Sequence, residues 1–287
     1  MSTTVIQLII NGLLLGGIYA LISIGLTLIF GVVEIINFAH GEFLMLSMYG
    51  SYWLFQLYGV DPYVSLLMVI PTFFLIGWAV QRIIIQPIID APPLNQIFAT
   101  VGVSLVLQNV ALFLWKADYR TVRTVYSGLS LKTAGLMISF PRLVAFFLAL
   151  ALIAGLLKFL KRTYTGKAIR AIAQQRRAAM LMGIDINRMY KVAFGIGIAC
   201  VGAAGAMLIP IYYTFPTVGG LFVLIAFVVV ILGGYNSLIG ALVGGLIIGV
   251  VEAFSGFFLS PHLKEAVYFV IFILILLFRP TGLFGRG

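Results

Sequence analysis

Between Val192 and Val251, sixty consecutive residues carry no charged side chain. A soluble domain keeps roughly a quarter of its residues charged, because its surface meets water everywhere. A hydrocarbon layer is crossed by about 20 apolar residues, so this one run is long enough for more than two crossings. Further charge-free stretches cover 1–33, 43–60, 62–81, 91–115, 143–157 and 266–278. Only 9% of the 287 residues are charged and 62% are hydrophobic, too little polar surface to clothe even one soluble globule. A cytosolic enzyme, a secreted module and a disordered tail are thereby excluded. The remaining class is an all-α polytopic membrane protein, since helices satisfy their backbone groups within each span.

The long run is divided by Pro210, Pro216, Gly219-Gly220 and Gly233-Gly234, which punctuate helices. With the other stretches this predicts about eight transmembrane helices and one short or re-entrant piece over 219–232, in a single domain spanning 1–287. The uncharged start lacks the basic region of a cleavable signal peptide, so the first span is expected to be retained. The net charge of +10 is local: nine of the eighteen basic residues lie within 158–191, opposed there only by Asp185. Cytoplasmic loops concentrate Lys and Arg. Residues 158–191, Arg82, Arg279 and Arg286 are therefore expected inside, and 116–140, 214–220 and 259–265 outside with the N-terminus. The 116–140 loop nevertheless carries Lys116, Arg120, Arg123 and Lys132.

Small residues recur at helical spacing in Gly12 and Gly16, Gly240 and Gly244, and Gly245 and Gly249, a pattern that brings membrane helices into close contact. Two segments resemble each other: Ile29-Phe30-Gly31 leads through Asn37 to Gly41, and Ile231-Leu232-Gly233 leads through Asn236-Ser237 to Gly240. Each sets a polar, Gly-containing break between apolar runs. Paired interruptions of this kind point to a transport path, whereas two ordinary turns would give the same letters. They are read as a parallel repeat near the inner mouth of a path.

Polar groups inside such a chain are few. Asn37, His40 and Glu42 form a cluster that either caps the second span or takes part in gating, solute contact or proton relay; Asn236, Ser237 and Glu252 are further pathway or gating candidates. Gln108 and Asn109 suit hydrogen bonding between helices. One cysteine, Cys200, excludes an internal disulfide, and two histidines, His40 and His262, leave no Cys/His metal cluster to build.

From Thr165 to Gly183 the chain is rich in Ala, Gln, Arg and Met, good helix formers. The spacing predicts one basic amphipathic helix over about 168–182, with Ile169, Ile172, Ala173 and Met180 on its apolar side and Asp185 capping the helix that follows. Such a helix can lie on anionic lipid or plug into a partner protein.

The stretches Ile36–Phe43 (INFAHGEF), Pro92–Gly102 (PPLNQIFATVG), Thr165–Ala171 (TGKAIRA) through Gly183-Ile184, Leu232–Gly234 and Arg279–Gly285 (RPTGLFG), taken in order, resemble permease subunits of branched-chain-amino-acid-type ABC importers. The resemblance covers almost the whole chain. It implies a multi-pass subunit of a bacterial inner membrane that forms half of a pathway with a second, related permease. Two cytoplasmic ATPases would use ATP and Mg to drive it, and an external binding protein would deliver a branched-chain or related neutral amino acid, or a urea or amide in some relatives. It further implies that Gly166, Lys167, Ala168, Arg170, Ala171, Ala178, Ala179, Gly183 and Ile184 belong to the region docking on the ATPase, within a cytoplasmic segment of about 161–190. Gln86-Pro87-Ile88-Ile89-Asp90 departs from the more basic stretch common in those proteins.

The residues agree that energy comes from elsewhere. A phosphate loop needs Gly, four residues, then Gly-Lys-Ser/Thr, but Gly166-Lys167 is followed by Ala168 and preceded at the first Gly position by Lys161. No catalytic set, bound cofactor, metal or nucleic-acid surface is expected of this chain. A secondary transporter or channel coupled through Glu34, His40, Glu42 or Glu252 is the competing reading.

Overall fold

The computed structural model describes residues 2–133, 135–259, 263–279 and 281–285; His262, Pro280 and Arg286 lie outside them. Its helices are α1 (Ser2–Val33), α2 (His40–Tyr58), α3 (Pro62–Val80), α4 (Pro93–Trp115), α5 (Phe140–Arg162), α6 (Tyr164–Gln174), α7 (Arg176–Leu181), α8 (Ile186–Leu208), α9 (Val218–Gly233), α10 (Leu238–Phe258) and α11 (Lys264–Phe278). A π turn and a 3₁₀ turn carry α3 on to Ile88. A small antiparallel hairpin, β1 (Ser130–Thr133) and β2 (Leu136–Ser139), precedes α5.

Starts and stops follow local chemistry. Asp61 accepts from Tyr63 N at 2.9 Å ahead of Pro62 to open α3, and Asp185 accepts from Arg188 N at 3.0 Å to open α8, as its place in the sequence predicts. Gly59 ends α2 at φ +66°, a left-handed cap that glycine adopts without penalty.

The chain is a multi-pass membrane protein. Six helices among the described residues are long and apolar enough to cross a membrane: α1, α3 with its extension, α4, α5, α8 and α10. The nine apolar pieces expected from the sequence all appear as helices, but three fall outside that group. Helix α2 is diluted by His40, Glu42, Ser47, Ser51 and Gln56. The 16-residue α9 and 15-residue α11 reach only about 24 and 22 Å at 1.5 Å per residue.

Helix α1 lies at the centre, with 89% of its most apolar window buried; α8 follows at 78%, while α4 shows 11%. Apolar on every side, α1 has no polar face to keep in water, and its first turns, with Val5, Ile6, Ile9 and Leu13, are the part that stays exposed. It runs antiparallel to α10 along a glycine seam: a methyl group on Gly16 would lie 2.7 Å from the Gly245 carbonyl, and one on Gly12 2.7 Å from that of Gly249. Without a hydrophobic drive between helices in lipid, such backbone approach supplies the contact.

Contacts sort the connections to two ends. At one, Tyr126 donates to Asp61 at 2.6 Å, Arg120 pairs with Thr214 through backbone, and Gln7 bonds Met137. At the other, Arg82 and Lys191 share the Trp78 ring, Gln86 bonds Asn187 at 3.0 Å, and Arg176 faces Asp90 at 3.7 Å. The Gln86–Asp90 stretch thus reaches α7 and α8 through an amide and one exposed acid, the latter contact being weak by its exposure.

Candidate functional site

Helix α1 stops at Glu34, whose φ of +60° breaks the helical path. Here the two sequence breaks meet. The Phe30 ring lies 4.9 Å from that of Tyr235, and a methyl on Gly31 would sit 3.0 Å from Asn236 Oδ1. The chain then turns back into the bundle. Thr100 donates to Ile36 O at 3.0 Å, Asn37 Oδ1 accepts from Ala39 N at 3.1 Å, and His40 Nε2 donates to Ile22 O at 3.0 Å. Ile22 lies eleven residues before the end of α1, about 16 Å along the axis. His40 and Glu42 are therefore not at the edge of the bundle but deep within it.

At that depth two helix N-termini converge. Gly41 of α2 touches Gly219 of α9 backbone to backbone, with no room for a side chain on either. Glu42, 4% exposed, accepts from Ser104 Oγ of α4 at 3.3 Å through Oε1, and its Oε2 faces Gly219. Glu42 Oε2 and His40 Nδ1 have no hydrogen-bond partner among the described residues. A carboxyl group beside two N-termini complements the partial positive charge each helix presents there. The structure thus joins α2, α4 and α9 through Glu42; His40 and Glu42 do not bond each other.

The second break is shallower and differently built. Gly234, at φ +98°, ends α9, and Ser237 Oγ accepts from Gly240 N at 3.0 Å to begin α10. The last carbonyls of α9 are covered from far along the chain: Leu283 N donates to Leu232 O at 2.8 Å and Phe284 N to Gly233 O at 3.2 Å. The two breaks are matched in sequence but unequal in depth. Asn236 stays at the end of the bundle while Asn37 to Glu42 descend.

Glu252 stands toward the opposite end of α10. It is 7% exposed and accepts from Lys264 Nζ of α11 at 2.9 Å, with the Tyr19 hydroxyl beside it. Asn109 bonds its own helix at Leu105 O, not a neighbouring one.

The basic segment corrects the sequence reading. Its single expected helix is two, α6 and α7, broken at Gln175, whose backbone is extended at φ −157° and ψ 97°. Gly166 is no boundary: Thr163 caps α6 through Gly166 N at 3.0 Å, and the glycine packs 2.5 Å (measured from a placed methyl) from Leu160 Cα. Gly183, at φ +79°, does end the segment. Ala168, Ile169 and Ile172 are buried, but Ala173, still within α6, faces out, and so does Met180, beyond the break in α7. Lys167, Arg170 and Ala178 face out, Ala171 and Ile184 are half-buried, and Ala179 turns in. Met180, Leu181 and Met182 project from the tip, Leu181 at 87% exposure.

Ser104, Gly219, Lys264 and the 281–285 cap escape a reading by local pattern. Each acts on a residue more than ten positions away, and only the Arg279–Gly285 motif carries a signal of its own.

The family described as branched-chain amino acid transport system / permease component matches residues 8–276. The chain is 33% identical to the high-affinity branched-chain amino acid transport system permease protein BraD of Pseudomonas aeruginosa, over 98% of this chain and 96% of that protein. It is 31% identical to LivH of Escherichia coli strain K12, a permease protein of the same description, over the same shares. It is 28% identical to the probable branched-chain amino acid transport permease protein LivH of Methanocaldococcus jannaschii, over 97% and 92%. No solved structure matches it.

Proposed function

Because the chain belongs to the family of branched-chain amino acid transport system permease components, a family of transport subunits and not of enzymes, we propose that it forms half of the pathway of an ATP-driven importer. The solute is a branched-chain or related neutral amino acid. The other half is a second, related permease, two ATPases bind at the cytoplasmic end, and an external binding protein hands over the solute at the opposite end of a bacterial inner membrane.

The observation that carries this reading is the α6–α7 unit. Its Ile169, Ile172 and Ala179 are buried, while the apolar Met180, Leu181 and Met182 and the basic Lys167, Arg170 and Arg177 of the same segment are exposed. Three consecutive large apolar side chains on an exposed basic segment, on a chain without a phosphate loop, suit a groove in a partner that has one. ATP and Mg belong to that partner.

The test places a charge on the outward-facing alanine. Ala178→Glu, at a docked surface, sets a carboxyl group where a desolvated charge costs several kcal/mol, so ATP-driven leucine uptake should fall by about a hundredfold, with ATPase copurification lost. Insertion of the permease and solute binding by the external protein should stay unchanged. Normal uptake with the ATPase still attached overturns the coupling assignment and favours a lipid-lying role for the segment.

A further inference from the structure

Two cavities adjoin along α9. The larger, about 380 Å³, is walled by apolar and aromatic side chains including Phe38, Val223, Phe227 and Phe272. The smaller, about 100 Å³, is lined in part by Lys264 and Tyr268. Gly220 and Leu224 border both. The compound space therefore has an apolar chamber and one charged end. Behind Lys264 stands Glu252, nine-tenths buried, with Oε1 on the ammonium and Oε2 without a hydrogen-bond partner among the described residues. At the far end the chamber closes on Phe30 and Tyr235, the ring pair where the two breaks meet.

We infer that this compound cavity is the solute site within this subunit, Lys264 taking the carboxylate of an amino acid whose branched aliphatic side chain fills the chamber between α9 and α11, while Glu252 behind it holds the Lys264 ammonium in place. The inference rests on the importer reading above and adds the site to it. Charge fixes the class: Lys264, the one charged side chain among the described residues lining either cavity, offers a carboxylate its partner, and Glu252, 2.9 Å from Lys264 Nζ, holds that ammonium in place. Buried charge in a membrane helix is costly enough to mark function. The chamber volume falls in the range of about 300–1,000 Å³ typical of small-molecule sites. Among the described residues its lining carries no charged side chain, which selects an aliphatic side chain over a polar one. Gly220 and Phe269, on its rim, are exposed, a side that a half-pathway leaves for the second permease to cover.

The test uses the assembled importer. Val223→Cys, in a Cys200→Ala background, is labelled with a membrane-permeant maleimide. Leucine should slow labelling about threefold at twice its dissociation constant, and N-acetyl-leucinamide, which keeps the side chain but neither charge, should not. Combining Glu252→Met with Lys264→Met should abolish the leucine effect. Equal protection by both compounds, none by leucine, or leucine protection surviving in the Met pair overturns the site. So does protection that follows lipid acyl length, which makes the occupant a lipid. Should the Met pair fail to assemble, the contrast between the two compounds on the unaltered pair decides alone. A wild-type complex that imports no neutral amino acid defeats the importer reading; one that imports leucine with labelling unchanged defeats only the site.

Discussion

Glu42 shows how one side chain carries information across three helices. Its neighbours in sequence, His40 and Gly41, place it at the start of α2, yet its contacts are Ser104 of α4 and Gly219 of α9. The sequence marks it as unusual, a carboxyl group between apolar runs, and leaves capping and gating both open. Its depth was not readable, because it depends on the 34–39 segment doubling back toward Ile22. If Glu42 and Ser104 act as a unit, their substitutions are not additive. Glu42→Gln and Ser104→Ala should each lower the stability of the purified complex by about 1–2 kcal/mol, and the double variant should lose less than the sum by about 0.5 kcal/mol or more. Thermal unfolding of the four proteins measures this; strict additivity removes the link between α2 and α4.

Helix α9 depends on an element the local pattern does not connect with it. Its C-terminal carbonyls are covered by Leu283 N and Phe284 N, and the turn that brings those amides in requires Gly282 at φ +76°, where a methyl would lie 2.5 Å from Ile231 O. The Arg279–Gly285 stretch is legible as a motif; its partner is not, since 48 residues separate Gly233 from Gly282. Gly282→Ala should cost about 1–3 kcal/mol through strain and uncovered carbonyls. It should also raise amide exchange at 283 and 284, read by mass spectrometry. Unchanged exchange at those amides would show that the cap is dispensable. The break at Gln175 was hidden for the opposite reason: Gln, Arg and Ala all favour a helix, so nothing local announces an extended residue there. The contact of Arg176 with Tyr190 at 5.5 Å and with Asp90 binds the start of α7 to distant parts of the chain.

For the molecule as a whole, the apolar runs prescribe a helical bundle, and the glycine seam explains why α1 takes its centre. Sidedness rests on charge alone. Nine bases gather over 158–191, and four more in 116–140 run against the rule. The structure gives one of those four other work: Arg120 lies over the rings of Tyr52 and Trp53, faces Asp118 at 3.5 Å and donates to Trp115 O at 3.1 Å. A guanidinium held this way serves the packing of its own loop and weighs less as a topological signal, so the denser segment decides. Single cysteines at Gly128 and Gln175, both exposed, follow from this in a Cys200→Ala background. Gly128 has open space for a side chain, and Gln175 stands in the link between α6 and α7. In intact cells an impermeant maleimide should label position 128 and spare position 175, and permeabilised cells should label both. Labelling of 175 alone in intact cells would invert the molecule, leaving α6–α7 on the side without ATP, where no docking on an ATPase is possible.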